Sequence, residues 1–379
     1  MFNGSKLKYI RLVNGLSRKE LALNLGVTEQ TIGQYETGLI MPKFDMHVKL
    51  NDFFGVSMKY FNKEHYFEIF DISSNIAFRN SDREQRMKVE FEKYFLNDIH
   101  GHLKYFTSYI KVFLDDLSLL KESLVKDFSV LSCQEIKSIA EEARRRMNIR
   151  DNKTLITELE KFGIIILEKT FINQTDACSV WIEDVPYIVL GNQNKSFVRR
   201  NFDLAHELGH LILHANREIN ELDRKDFDEL EKQANLFATH FLIPGADFRL
   251  EMEPILSNIS NPDAYINLKK KWKVSIAALG YRAYQEGIMT YQQYRYFNIL
   301  LNKKNYKLIE PLDEEFLIIR PLRLKKMFEF VFDKGIISLP EFLDSFDLRV
   351  KGVSKKFSIE SELFSKYMTK PGNIIEFKF

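Results

Sequence analysis

The chain has 379 residues, 45 % of them hydrophobic and 28 % charged, a composition that excludes a fibre or a disordered tail and predicts two or three globular domains. Lys and Arg number 55 against 53 Asp and Glu, so the net charge of +2 provides no general attraction to polyanions, and any nucleic-acid surface must be local. The two cysteines, Cys133 and Cys178, lie far apart in the sequence, which excludes a disulfide framework and fits a reducing cytosol.

The N-terminus, MFNGSKLKYIRL, lacks the apolar core of a signal peptide, and no run of about 18 apolar residues exists to span a bilayer. We therefore expect a cytoplasmic protein with no membrane partner. The spacing of apolar residues predicts a mainly α-helical chain with a small β-sheet, an α+β fold class. Four segments follow one another: an all-helical unit, a helical connector, a mixed domain with the sheet, and a helical C-terminal region, at residues 1–65, 66–130, 131–250 and 251–379.

The N-terminal unit contains the stretch GLSRKELALNLGVTEQTIGQYETG, which predicts two short helices joined by a tight turn. Ser17 and Glu20 form a capping box at the first helix, and Thr28 caps the second. Gly26 permits the left-handed backbone that such a turn requires. A generic helical hairpin is the alternative to a DNA-reading motif at this point.

The second of these helices buries Ile32 and turns polar residues outward, and glutamines one turn apart are suited to contact base edges in a major groove. The stretch resembles the Cro/C1-type (XRE) helix-turn-helix domain. That resemblance implies that Arg11 pairs with Glu36. It also implies a DNA-binding face in which Gln30, Thr31 and Gln34 approach bases, Arg18, Lys19 and Lys43 contact phosphates, and Thr28 and Glu29 lie beside them.

The charge of this unit bears on its partners. Residues 1–60 hold eight Lys or Arg against five Asp or Glu, which is a modest excess. A single copy with few phosphate contacts binds DNA weakly at physiological salt. We therefore expect a homodimer on a two-fold operator in double-stranded DNA, with contacts between copies supplied by the connector or the C-terminal helices.

The mixed domain begins with a helix at SCQEIKSIAEEARRRMNI, followed by the β-rich runs GIIILEKTF, ACSVWIED and PYIVLGN. Then FVRRNFDLAHELGHLILH predicts a helix that places His206 and His210 one turn apart on one face, a spacing suited to two zinc ligands. Glu207 beside them can take a proton from an attacking water. The alternative is that these histidines are polar edges of a buried amphipathic helix.

A two-histidine zinc site needs a third protein ligand. The HExxHxxGxxH pattern fails, because Leu213 and Asn216 occupy the positions of its glycine and last histidine. His214 lies two turns beyond His206, and we expect it not to bind the metal.

A second helix, LEKQANLFATHFLIPG, offers Glu231 as the missing ligand. Asn235 lies one turn further on and can hold a ligand histidine by its second ring nitrogen. By spacing alone Glu218, Glu221 and Glu229 remain rival ligands.

The two stretches RRNFDLAHELGHLILH and EKQANLFATHFLIP together resemble the ImmA/IrrE family of metallopeptidases over residues 131–250. The resemblance implies a zincin-like domain with Zn²⁺ bound by His206, His210 and Glu231 and with Glu207 as general base. His240 occupies a variable position of the pattern, opposite Glu231 on its helix, and we expect it to face solvent.

The C-terminal stretch RPLRLKKMFEFVFDKGIISLPEFLDSF has the outline of a helix-turn-helix, but its basic residues cluster at one end, so we favour a packing role. Two functions fit the whole chain. One is a DNA-binding transcriptional regulator with a zinc endopeptidase domain that cleaves a partner repressor or other regulatory protein. The other is a DNA-binding repressor or antitoxin-like protein whose zincin domain is a sensor or dimerisation module with little peptidase activity.

Overall fold

The computed structural model describes residues 2–63, 69–70, 72, 83–111, 116–125, 131–168, 177–191, 195–215 and 223–368. Helices dominate these residues and three strands form one sheet, which confirms the predicted α+β fold class. The N-terminal helices are α1 Gly4–Val13, α2 Arg18–Leu25, α3 Glu29–Thr37, α4 Phe44–Phe54 and α5 Arg83–Thr107. The middle of the chain forms α6 Asp116–Leu124, α7 Cys133–Arg146, α8 Leu155–Lys161, β1 Ile165–Glu168, β2 Ala177–Ile182, β3 Val185–Leu190, α9 Phe197–Leu213, α10 Arg224–Leu242, α11 Gly245–Met252, α12 Ile266–Trp272, α13 Ile276–Gln285 and α14 Tyr291–Lys303. The last helices are α15 Arg323–Asp333, α16 Leu339–Ser345, α17 Val350–Phe357 and α18 Ser361–Met368.

The described residues divide into two units by their contacts. The first unit contains the residues up to 111 together with those from 322 onward. The second contains the residues from 116 to 321, with the sheet and α6 to α14. This grouping differs from segment boundaries at residues 65, 130 and 250, because α5 packs against α1 and the last helices pack against the N-terminal ones. In the described part of the chain, no helix is both long and apolar enough to cross a bilayer.

The first unit contains the predicted pair of short helices, α2 and α3. Ser17 accepts a hydrogen bond from the backbone N–H of Glu20, whose carboxylate accepts one from the N–H of Ser17, so the capping box is present. Gly26 ends α2 with a left-handed φ of 70°, as the turn requires. Thr28 accepts the N–H of Thr31 and begins α3.

The buried carboxylate of Asp98 joins α5 to α1 and to α17 within this unit. The Tyr9 hydroxyl of α1 donates to Asp98 at 2.9 Å, and the Lys356 ammonium of α17 lies 2.7 Å from the same carboxylate. Burial raises the pKa of Asp98, but the charges of Lys356 and His102 outweigh it, so the pKa is lowered and the carboxylate stays ionised. Since an unpaired buried charge is costly, loss of either partner should destabilise this unit.

The sheet of the second unit has the strand order β1-β3-β2 and corresponds to the three predicted β-rich runs. β3 is parallel to β1 and antiparallel to β2, to which a tight turn at Glu183 connects it. Helix α9 packs across β2 and β3 and buries Leu204, Leu208 and Leu211. The helix that carries the histidines therefore lies directly on the sheet.

Helix α10 packs against α9 and α7, and its C-terminal end is fixed by a buried polar network. Arg144 donates to the carbonyl oxygen of Phe241 and to the side chain of Asn152. Asn152 in turn donates to the carbonyl oxygens of Leu242 and Trp272. These bonds satisfy the otherwise open carbonyls of a helix end and hold α10 in place beside α9.

Candidate functional site

Helix α9 carries His206 and His210, and both side chains face α10. Their Nε2 atoms lie 3.1 Å apart. Gly209 between them allows α10 to come close, because a Cβ at that position would lie only 3.1 Å from the ring of Phe237. The helical spacing read from the sequence thus brings the two imidazoles to one point.

Helix α10 contributes Glu231 to the same point. Its carboxylate oxygens lie 3.7 Å from His206 Nε2 and 3.4 Å from His210 Nε2. All three ligand atoms fall within 4.8 Å of one another. The ligand atoms of a tetrahedral zinc, at about 2.0–2.1 Å from the metal, lie about 3.4 Å apart, so the arrangement has the dimensions of a zinc site.

The second ring nitrogens of both histidines are held by neighbouring side chains. His206 Nδ1 lies 3.1 Å from the amide oxygen of Asn235, as predicted. His210 Nδ1 lies 3.0 Å from His214 Nδ1, and His214 Nε2 lies 3.0 Å from the amide oxygen of Gln233. The sequence reasoning missed His214 and Gln233 in this role, although the step of four residues from His210 to His214 was a usable signal.

These contacts decide which nitrogen of each ring carries hydrogen. An amide oxygen only accepts, so His206 donates from Nδ1 and His214 donates from Nε2. The remaining nitrogen of His214 then accepts from His210 Nδ1. In their neutral form both histidines therefore direct an Nε2 lone pair toward Glu231, and two lone pairs facing a carboxylate repel unless a proton or a metal ion lies between them. The donor set fits a zinc ion.

The electrostatics of His206 and Glu231 point the same way. Burial lowers the pKa of His206, but its hydrogen bond to Glu231 and the charges of Glu207 and Glu231 outweigh burial, and the pKa is raised. Burial raises the pKa of Glu231, but hydrogen bonds from His206 and His210 outweigh it and lower the pKa strongly. The site therefore favours positive charge beside an ionised Glu231.

Glu207 is buried beside these residues. The Ser179 hydroxyl of β2 donates to its carboxylate at 2.7 Å. A carboxylate held in this way has a defined orientation next to the histidine pair, so strand β2 joins the sheet to the chemistry of the site. Ser179 is a further residue that the sequence reasoning did not single out.

The other candidate site lies on α2 and α3. Arg11 is buried and donates from Nε to Glu36 at 2.5 Å, and Arg18 donates to the other oxygen of Glu36 at 2.7 Å. Among the residues expected to contact DNA, Lys19, Thr28, Glu29, Gln30 and Lys43 are exposed, while Arg18, Thr31 and Gln34 are partly buried. The buried Glu36 thus fixes Arg18 beside α3, with part of the Arg18 side chain still exposed.

Comparison with known proteins matches both parts of the chain. A helix-turn-helix family matches residues 7–61, and the family of IrrE N-terminal-like domains (peptidase family M78) matches residues 159–284. An uncharacterized HTH-type transcriptional regulator of Methanocaldococcus jannaschii is 40 % identical over 55 residues, which is 14 % of this chain and 83 % of that protein. The chain belongs to the helix-turn-helix family and carries an IrrE-like domain. Both resemblances stated from the sequence are confirmed.

The rival ligands of the IrrE-like domain have different positions. Glu229 lies on α10 but is exposed, with Lys232 as a neighbour at 3.4 Å. Glu218 and Glu221 lie outside the described residues. Of the two carboxylates that lie within the described residues, Glu229 and Glu231, Glu231 is the one that the structure brings to the histidines.

The expectation for His240 was wrong, because this side chain is buried in the IrrE-like domain and does not face solvent. It lies 3.2 Å from Glu141 on α7 and 3.3 Å from Arg282 on α13. Arg282 also donates to the carbonyl oxygens of Thr239 and Ile243 at the end of α10. His240 therefore belongs to a buried charge cluster that joins three helices.

This cluster makes a prediction for pH dependence. Burial and the charge of Arg282 lower the pKa of His240 to about 4, so the folded chain keeps this ring neutral while the unfolded chain protonates it near pH 6.5. Because the unfolded state then binds more protons, stability falls as pH drops from about 6.5 to 4. We expect His240→Asn to lose less of its melting temperature over this range than the wild type does. Parallel losses in both proteins would exclude His240 as the titrating group.

Proposed function

We propose that this chain is a transcriptional regulator that binds operator DNA through α3 and hydrolyses a peptide bond in a protein at a zinc site formed by His206, His210 and Glu231. The observation that carries the proposal is the convergence of these three ligand atoms beside the buried carboxylate of Glu207. The ImmA/IrrE resemblance implies a partner repressor as the substrate.

Zinc held by His206, His210 and Glu231 would act as a Lewis acid, which would polarise the substrate carbonyl and lower the pKa of the attacking water toward neutrality. Glu207 takes the proton from that water and later passes it to the leaving amine. Ser179 orients the Glu207 carboxylate through its 2.7 Å hydrogen bond. Asn235 and His214 fix the two ligand histidines in the tautomer that exposes Nε2.

The proposed DNA contacts lie on the side of α3 where Thr28, Glu29 and Gln30 are exposed and Thr31 and Gln34 are partly exposed. Gln30, Thr31 and Gln34 approach base edges, with Thr28 and Glu29 at the end of the helix that enters the groove. Arg18, Lys19 and Lys43 contact phosphates. A homodimer supplies two copies of this face to a two-fold operator.

Replacement of His214 by phenylalanine tests the role of the ring behind His210. We expect zinc binding to weaken by about 10- to 100-fold, because His210 Nδ1 loses its acceptor and the ring loses its fixed tautomer. Gln233→Leu should act through the same contact, so the double variant should bind no more weakly than His214→Phe alone. Competition with a chelator measures the affinity, and circular dichroism verifies the helices. Additive losses would show that the two residues act independently.

The proposed activity is tested with purified protein, repressors encoded beside its gene as substrates, and mass spectrometry of the products. Stoichiometric zinc together with a single specific cleavage supports the proposal. Stoichiometric zinc with no cleavage of any such repressor favours the sensor or dimerisation role instead. Absence of zinc from protein purified without chelators excludes both the metal site and the hydrolase.

A further inference from the structure

The first unit contains the features of α2 and α3 a second time, near the end of the chain. Residues 17 and 338 correspond, and the same shift of 321 residues relates the other positions. Ser338 and Glu341 form a capping box at α16, like Ser17 and Glu20 at α2. Asp347 follows α16 with a left-handed φ of 51°, at the position that corresponds to Gly26.

The buried positions repeat as well. Helix α17 begins at Val350, at the position that corresponds to the start of α3. Three apolar residues that face the core in the first motif have buried counterparts in the second: Leu21 and Phe342, Leu25 and Phe346, Ile32 and Val353. Tyr35 is an exception, because Lys356 occupies the corresponding position. Together with α15, the helices α16 and α17 therefore have the outline of a second helix-turn-helix motif.

In the second motif, the start of α17 packs against the N-terminal domain. Gly352 corresponds to Thr31 of the DNA-binding face, and it packs so closely on Gly55 at the end of α4 that a Cβ on either glycine would overlap the backbone of the other. Arg349 corresponds to Thr28, and its N–H donates to the carbonyl oxygen of Gly55 at 2.9 Å.

Charged side chains extend this contact along α4. The guanidinium of Arg349 lies 2.5 Å from the Asp52 carboxylate, and Lys351 donates to the Asp52 carbonyl oxygen at 3.3 Å. Lys355, which corresponds to Gln34, lies over the ring of Phe53 at 5.5 Å. Four positions that correspond to the proposed DNA-binding face of α3 thus contact the first domain.

The turn of the second motif adds backbone pairing. Ser57 donates its N–H to the carbonyl oxygen of Asp347 at 2.7 Å, and Val56 forms a β-bridge with Leu348. Lys63 lies 2.7 Å from the Asp347 carboxylate. The contact therefore covers the segment after α4 as well as the end of the helix itself.

We propose that α15–α17 form a helix-turn-helix that binds protein instead of DNA, with the end of α4 of its own chain as the partner. The surface that α3 presents to DNA is used in α17 for this contact. Each chain then reads DNA through α3 alone. The statement that α3 alone reads DNA rests on the proposed DNA binding by α3. The contact of α17 with α4 does not depend on it and has a test of its own.

Alanine substitution of two glycines in corresponding helices should change the melting temperature in opposite directions, which tests the contact. Alanine in a helix interior is ordinarily stabilising relative to glycine. Gly33 of α3 has room for a Cβ, whose nearest neighbour is Arg18 Nη1 at 3.8 Å, so Gly33→Ala should leave the melting temperature unchanged or raise it. Gly352→Ala should lower it by several degrees, because the new Cβ meets the Gly55 backbone. An increase in both full-length variants would overturn the proposed contact.

The role in DNA binding is tested with the full chain on a duplex of random sequence over a range of salt concentrations. Each lost phosphate contact lowers the slope of log affinity against log salt by about one. We expect the Lys19→Gln, Lys43→Gln double variant to lose about two from the slope and Lys351→Gln, Lys355→Gln to keep the wild-type value. A reduced slope in the second variant would overturn the proposal, because α17 would then contact DNA. An unchanged slope in the first would instead contradict the DNA face assigned to α3.

Discussion

Glu207→Gln should bind zinc as tightly as the wild type yet cleave its substrate about 10²- to 10⁴-fold more slowly, which is the usual contribution of a general base. The amide has the size of the carboxylate, and its oxygen can still accept the hydrogen bond from Ser179. It cannot accept a proton from the attacking water. The loss should therefore appear in kcat, while metal content and melting temperature stay close to those of the wild type.

A matched control for this variant is Glu229→Gln, which makes the same chemical change at an exposed carboxylate of α10. We expect it to retain full activity. The measurement is the rate of product formation from a partner repressor, with zinc quantified in the same preparations. Wild-type proteolysis by Glu207→Gln would remove Glu207 from the role of base and leave the ligand set intact.

Glu231→Ala should lose zinc, with an affinity more than about 100-fold below that of the wild type. Removal of a metal ligand weakens zinc binding more than removal of a residue that only hydrogen-bonds to a ligand. The loss also leaves two imidazole lone pairs facing each other with no carboxylate to balance a cation. His206→Ala and His210→Ala should behave in the same way. Elemental analysis after gel filtration, together with chelator competition, measures the effect.

The controls for this experiment distinguish the rival carboxylates. Glu229→Ala, Glu218→Ala and Glu221→Ala should each retain one zinc per chain. DNA affinity should be unchanged in all of these variants, since the site lies in the unit that does not contain α3. If Glu231→Ala keeps the wild-type zinc affinity and one of the other three variants loses zinc, the residue replaced in that variant is the third ligand.

The helix with the two histidines could be predicted from the sequence because its chemistry is local. A spacing of four residues places His206 and His210 on one face of any α-helix, and the capping box at Ser17 and the left-handed turn at Gly26 are equally local. The structure shows all of these features. Predictions of this kind depend on a few neighbouring residues only.

Features that depend on the packing of distant segments could not be obtained in this way. Spacing left four carboxylates as possible third ligands, and the position of α10 beside α9 is what brings Glu231 to the histidines. His240 was expected to face solvent because it lies opposite Glu231, but α7 and α13 cover that side of α10. The spacing of His210 and His214 indicated their contact, but the contact of His214 with Gln233 could not be predicted, because Gln233 lies on another helix.

The division of the chain into units has a consequence for biosynthesis. The N-terminal helices emerge from the ribosome first, but their packing partners on α15–α18 follow only after about 200 further residues, at roughly 5–20 residues per second. The interval between synthesis of the N-terminal helices and synthesis of the C-terminal helices that pack on them is therefore on the order of 10–40 s. A chain that stops before α15 lacks these packing partners, so the N-terminal helices can complete their unit only after α15–α18 have been synthesised.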